Sequence, residues 1–254
     1  MTNPRVPPGY KNVIIKGKTG KVFATGIDKK GRKQVIYNKW FIEKQQKALF
    51  RKIMSLKPIF QKIVTDVNSI LSKSTVEHFK TTECIKQMQI ALIIKLMILC
   101  NFRIGSKKYL KLYGTYGVTT ILWKFITFGT DKKTLHIKFI GKKHVINEAV
   151  CNDRKLYKLL FYLKKHNKAN NKDSIFNVSA REINKYIGLY HTNLTAKDIR
   201  TWRANMLFIK YYNSAPKELN KKKKINYALK NVATKLHNTA AVCKSNYIHP
   251  SLVK

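Results

Sequence analysis

Across 254 residues, 52 Lys and Arg stand against 12 Asp and Glu, a formal net charge of +40. A compact chain so charged repels itself unless a polyanion neutralises it, which makes nucleic acid the expected partner; the basic residues spread over the whole chain and form no juxtamembrane cluster, so no membrane is expected. With 44% hydrophobic residues the chain can bury a sizeable core, and its acids form no DxD, DxE or ExE pattern, which speaks against two-metal nuclease or polymerase chemistry and leaves no metal site expected.

Residues 1–45 read as short strands and turns, with β character at 13–16, 22–25 and 34–37 and punctuation by Gly17, Gly20, Gly26 and Gly31. Helical periodicity takes over near Trp40. Residues 42–56 and 59–71 are amphipathic, with Pro58 between them, and Ser74 or Thr75 is placed to cap a helix over 76–101. Its stretch 90–100 is apolar on most sides and predicts a central core helix; Lys95 interrupts it, and it is too short to span a membrane. A strand is expected at 121–128. Alternation at 134–140, the run Gly141-Lys142-Lys143-His144 and residues 145–150 predict a β-hairpin with a basic tip. Helices are expected at 154–166, at 180–189 after Ser179, from Thr195 to about 212, and at 217–236 after Pro216, followed by a short tail beyond Asn238. The fold class is α+β, with a small β-rich N-terminal domain at 1–45 and a mainly α-helical domain at 46–254 that carries the hairpin.

The cysteines Cys84, Cys100, Cys151 and Cys243 form no CxxC pair and are expected as reduced thiols, partly in the core, which implies an intracellular, reducing compartment. Residues 1–16 have no apolar h-region and so no secretory signal.

Four constellations carry candidate chemistry. Arg103, at the end of the apolar helix, either satisfies terminal carbonyls or clamps a phosphate with its guanidinium fork. Lys142 at the hairpin tip is either a solvated charge or a mobile general acid, since nearby Arg cations would ease its deprotonation. Arg200 lies close to a helix start, where the dipole offers a cation nothing and favours an anion, so a bound phosphate would explain its place. Tyr247 stands near the end of the chain after His237 and Asn238; the two histidines His237 and His249 have no metal-ligand spacing.

Taken in order, these signals resemble the type IB DNA topoisomerases. Arg103-Ile104-Gly105 with Lys107, Tyr109, Leu110 and Lys111 resembles the first arginine motif of the poxvirus-type enzymes. Lys138-Phe139-Ile140-Gly141-Lys142 resembles the family's lysine hairpin. Lys197-Asp198-Ile199-Arg200-Thr201-Trp202 resembles the second arginine motif, with Trp in the manner of bacterial and giant-virus members. The run from Asn238 to Cys243 with Tyr247-Ile248-His249-Pro250 resembles the tyrosine motif of those members, and Gly31-Arg32-Lys33-Gln34 with Tyr37 is similar to the family's DNA clamp. The resemblance covers essentially the whole chain.

It implies the catalytic fold shared by tyrosine recombinases and these topoisomerases, double-stranded DNA as partner, a monomer clamping the duplex, and no cofactor. Tyr247 would attack a backbone phosphorus to give a 3′-phosphotyrosyl link and a free 5′-hydroxyl. Arg103 and Arg200 would hold the non-bridging oxygens, Asn238 or His237 would donate one more hydrogen bond, and Lys142 would protonate the departing oxygen. Arg32, Gln34, Tyr37, Lys107, Lys108, Tyr109 and Lys197 are the implied DNA contacts. No GxxxxGK[ST] motif occurs, in keeping with resealing that needs no ATP. Three departures stand out: Asn238 where poxvirus enzymes carry His, a shorter N-terminal clamp, and an end at Lys254 where relatives continue. Two other readings remain: a tyrosine recombinase, which usually has HxxR where Lys197 precedes Arg200, and a non-catalytic DNA-binding or packaging protein. Abundant Lys, Asn and Ile point to an AT-rich genome, and with the motifs to a large DNA virus and a place in its virion or replication compartment.

Overall fold

The structure, a computed structural model, describes residues 4–74 and 81–253. It divides into two compact units, Met1–Ser55 and Leu56–Lys254.

In the first unit β1 (Lys11–Ile15), β2 (Val22–Ile27) and β3 (Lys33–Tyr37) form an antiparallel sheet in that order, followed by α1 (Lys39–Ser55). The β2–β3 turn is organised by Asp28. Its carboxylate accepts from the Lys30 and Arg32 backbone N–H groups, from Arg32 Nε at 2.8 Å and from Gln34 Nε2 at 2.9 Å. The buried Asn38 side chain donates to the carbonyls of Gly17 and Gly20, tying the β1–β2 turn to the start of α1.

The second unit is built around α3 (Thr82–Cys100), whose N-terminus is capped by the Thr81 hydroxyl. From Met88 to Cys100 only Lys95 and Leu99 escape burial, because neighbours cover the helix on nearly every side. Lys95 reaches out to Asp153 at 3.2 Å and to Asn68 at 2.8 Å, so its stem packs while its charge is met. Among the described residues no helix is long and apolar enough to cross a membrane. The helix α2 (Lys57–Lys73) lies along α3, with Pro58 in its first turn, where a missing N–H costs nothing. The second sheet has the order β4 (Ile126–Phe128), β5 (Thr134–Ile140), β6 (Ile146–Asn152). On β5, Leu135, Ile137 and Phe139 turn inward while His136, Lys138 and Ile140 are exposed, as the alternation predicts. Then come α4 (Lys107–Tyr113), before the sheet, and after it α5 (Arg154–His166), α6 (Ala180–Gly188), α7 (Ala196–Asn213), α8 (Lys221–Lys235) and α9 (Ala240–Asn246). The fold is α+β, mainly helical, and the β5–β6 hairpin carries the basic tip Lys142-Lys143-His144.

Several local expectations need correction. The strand expected at 121–128 is only three residues long, Ile126–Phe128. Before it, the N–H groups of Trp123 and Lys124 donate to Asp173 and Asn171 carbonyls, so the buried Trp123 is held in a 3-10 turn by a loop. The helix expected from 217 starts at Lys221, because the Asn220 side chain caps it. The short tail beyond Asn238, for which no element was expected, holds two: Thr239 caps α9, and Pro250–Val253 forms a 3-10 turn whose Leu252 and Val253 pack on the core. The sulfurs of Cys100 and Cys151 are brought into contact as the end of α3 meets β6, while Cys84 and Cys243 are free thiols. A cap at Thr75 and a helix over 76–80 fall outside the described residues.

Candidate active site

Four chain segments converge at the C-terminal end of α3. That helix ends in Asn101, in the left-handed region at φ 54°. Phe102 then inserts fully into the core against Phe139, and the chain turns through Arg103 and Gly105. Gly105 adopts φ 89°, and a Cβ there would lie 2.8 Å from the Gly117 backbone. The turn is pinned by Val118 N–H on the Arg103 carbonyl and Thr119 N–H on that of Ile104. The Arg103 backbone is therefore fixed at both sides, and its guanidinium points across to Asn238, donating to Oδ1 at 3.1 Å.

The carbonyls that α3 leaves at its end are satisfied from α7. Arg203 Nε donates to Ile98 O at 3.1 Å, and Arg200 donates to Asn101 O. Arg200 also donates to Leu236 O, at the end of α8. Asp198, which accepts from the N–H and the hydroxyl of Thr195, starts α7 and so sets where Arg200 falls. Arg200 is 4% exposed. Burial, then the neighbouring Arg103 charge, lowers its pKa to about 10, so it remains a cation at neutral pH.

After α8 the chain makes a Schellman turn: Asn238 N–H bonds Ala233 O and His237 N–H bonds Thr234 O. His237 occupies the left-handed position, φ 48°, usually given to glycine. Its ring lies 5.5 Å from Phe102 and bonds the Cys100 carbonyl. Burial, with the charges of Arg200 and Arg103, pushes its pKa down to about 4, so it is neutral.

Tyr247 follows α9 and is 9% exposed. The Arg200 guanidinium carbon lies 5.4 Å from its ring centroid. Burial opposes ionisation of the phenol, but the charges of Arg200 and Arg103 and their hydrogen bonds to its oxygen outweigh this, and the pKa falls below 10.0. The hairpin brings Lys142 to the same place. Its tip is a 3-10 turn, Lys142–His144, closed by Gly141 N–H on Val145 O, with Lys143 at φ 65°. Arg103, Lys142, Lys197, His237, Asn238 and Tyr247 line one cavity of about 660 Å³. Three buried nitrogens around it, Arg200 Nε, His237 Nε2 and Asn238 Nδ2, have no partner among the described residues. Two of these, Arg200 Nε and Asn238 Nδ2, carry N–H groups, and donors at a cation-rich wall suit a tetrahedral oxyanion; the Nε2 of the neutral His237, whose other ring nitrogen donates to the Cys100 carbonyl, is an acceptor. Among the described residues no group of three or more His, Cys, Asp or Glu could hold a metal ion.

The family described as eukaryotic DNA topoisomerase I, catalytic core, matches residues 29–253. DNA topoisomerase 1B of Acanthamoeba polyphaga mimivirus is 29% identical, covering 96% of this chain and 75% of its own length. DNA topoisomerase I of monkeypox virus is 25% identical over 100% of this chain and 80% of its own length, and DNA topoisomerase 1 of rabbit fibroma virus 26% over 98% and 78%. The chain belongs to the type IB DNA topoisomerase family.

In this topoisomerase the remaining expected contacts lie outside the cavity. Lys107, Lys108 and Tyr109 stand on the exposed helix α4, with Tyr109 53% exposed and 5.8 Å from the Tyr113 ring. In the N-terminal unit Arg32 and Gln34 both bond Asp28, and Tyr37 packs its ring against Phe41. Sequence reasoning passed over Asn101, whose carbonyl receives Arg200, Lys143, which lines the cavity, and Asn205, a buried amide on the apolar stretch of α7. A buried-side Asn between Ala204 and Leu207 was the one signal in the sequence for the last.

Proposed function

We propose that the chain relaxes supercoiled double-stranded DNA by transient single-strand cleavage. Tyr247 attacks a backbone phosphorus, leaving a 3′-phosphotyrosyl link and a free 5′-hydroxyl; the broken duplex rotates, and the 5′-hydroxyl attacks the link to reseal it. The observation that carries this reading is the Tyr247 phenol under two guanidinium groups, which lower its pKa despite burial. A phenol with a free pKa of about 10 is a weak nucleophile, and cations that favour its ionised form also stabilise the charge of the transition state.

Arg103 and Arg200 hold the non-bridging oxygens. Asn238, its Oδ1 engaged by Arg103, offers its unpartnered Nδ2 as a further donor. His237 stays neutral, and its packing on Phe102 and bond to the Cys100 carbonyl hold the turn that presents Asn238. Lys142, from the hairpin tip on the cavity wall, protonates the departing 5′ oxygen, whose alkoxide is a poor leaving group. The covalent link preserves the energy of the phosphodiester, so neither ATP nor metal is required. Residues 46–254 carry the catalysis. The β-rich residues 1–45 contribute phosphate contacts through Arg32, Gln34 and Tyr37, and Lys107, Lys108, Tyr109 and Lys197 add further contacts. The protein acts as a monomer, inside the cell at DNA, in a virion or a viral replication compartment.

The test is relaxation of negatively and positively supercoiled plasmid with EDTA present and ATP absent. The wild type relaxes both. Tyr247→Phe relaxes neither yet keeps its affinity for DNA, because one hydroxyl contributes little beside many phosphate contacts. Relaxation by that variant at the wild-type rate would refute the assignment.

A further inference from the structure

Asn205 is 6% exposed, on a stretch of α7 whose neighbours Ala204, Leu207 and Phe208 form core. A polar side chain in such a place is costly unless its hydrogen bonds are met. Here they are met by an unusual pair. Nδ2 donates to the carbonyl of Tyr247 at 2.7 Å and to that of Thr201 at 2.8 Å, while Oδ1 accepts from the backbone N–H of His249 at 2.8 Å. One amide thus grips the chain on both sides of Ile248, as a neighbouring strand would, and fixes two peptide planes at once. The Tyr247 carbonyl follows directly on α9 and is one of the groups a helix end leaves unpaired.

The grip matters because of where it is mounted. Asn205 lies about a turn and a half beyond Arg200 on the same helix. A single rigid element therefore positions the guanidinium beside the Tyr247 ring and the backbone from which that ring hangs. The element that leads into Tyr247 is α9. The helix is seven residues long, and Cys243 anchors it through apolar packing, with its thiol pushed up to about 11 by burial and therefore uncharged.

We propose that Asn205 is a positioning residue for strand cleavage and resealing, registering the Tyr247 backbone against Arg200; the proposal rests on the reading of Tyr247 as nucleophile. A misplacement of about 1 Å in a reacting group costs roughly 100-fold in rate. Freeing the Tyr247 carbonyl should therefore slow the chemical step without emptying the site or weakening the phosphate contacts.

The experiment is single-turnover formation of the covalent adduct by the full chain, on a duplex carrying a cleavage site mapped with the wild-type protein, with the short leaving strand free to dissociate. Asn205→Ala removes both grips. Asn205→Asp keeps the shape and the acceptor for His249 N–H but replaces the donor to the Tyr247 carbonyl. Asn231→Ala is the control, since Asn231, on α8, makes the same bond to the carbonyl four residues back, at 2.9 Å. The expected result for both Asn205 variants is a rate constant lower by roughly 10- to 100-fold, with adduct amplitude and duplex affinity as in the wild type and resealing slowed in parallel. Asn231→Ala keeps the wild-type rate. A wild-type rate constant in both Asn205 variants would overturn the proposal, and so would a loss seen only as lower amplitude, which is the mark of misfolded molecules. Absence of any adduct with the wild-type protein would instead sink the nucleophile reading, and this proposal with it.

Discussion

Replacing Arg200 by Lys tests whether the guanidinium fork, and not the charge alone, matters. The fork addresses three places at once: Asn101 O at the end of α3, Leu236 O at the end of α8, and the Tyr247 phenol. A lysine has one nitrogen, which cannot serve two helix ends on different terminal nitrogens and also keep a donor over the ring. One buried carbonyl loses a charged donor, which should lower stability by roughly 1.5–3 kcal/mol. One donor to the developing oxyanion goes with it, about 2.7–4 kcal/mol, or roughly 100- to 1,000-fold in the cleavage rate. The assay pairs urea unfolding without DNA with single-turnover cleavage at saturating duplex, so that lost stability and lost catalysis are read separately. Cleavage within about threefold of the wild-type rate would refute the reasoning, since a point charge would then suffice.

The other expectations follow from the same geometry. Cleavage should rise with pH as Tyr247 ionises, with a midpoint below 10.0, since the lowered pKa brings the phenolate in earlier; Arg103→Gln removes one of the charges responsible and should move that midpoint upward in a pH–rate profile. His237 has a folded pKa of about 4 against 6.5, so its contribution to stability is complete above pH 6.5 and is lost as pH falls towards 4. His237→Gln should flatten that part of the dependence of Tm on pH; an unchanged acid limb would place the loss elsewhere. Gly105→Ala puts a Cβ against the Gly117 backbone at φ 89° and should cost about 1–3 kcal/mol in chemical denaturation, with the Arg103 turn displaced and relaxation slowed.

What the sequence discloses depends on whether the deciding contact is local. The strand Thr134–Ile140 and the helix Arg154–His166 are legible because Leu135, Ile137 and Phe139 alternate and Asp153 caps within three residues. The segment before Ile126 is not legible, because its backbone partners, Asn171 and Asp173, come from a loop far along the chain. The same divide runs through the site. Arg103, Lys142, Arg200 and Tyr247 stand out through the order of their motifs. That Arg200 is buried, spanning two helix ends, depends on the carbonyls of Asn101 and Leu236, and peptide carbonyls carry no residue-specific signal. Asn205 is hidden for the same reason, as both of its distant partners are backbone groups. The helix over Ala240–Asn246 is too short to show periodicity, and its Thr239 cap looks like any loop threonine.

The Arg200 linkage has a consequence for how the protein comes apart. Because one buried side chain holds the C-terminal ends of α3 and α8, neither end can fray while the other stays closed. The amides of this junction should therefore belong to the slowest class in hydrogen exchange, opening only with the helical unit as a whole, while α4 and the hairpin tip exchange early. The catalytic cluster would then have no separate melting step: as temperature rises, activity should vanish with the helical signal in a single transition.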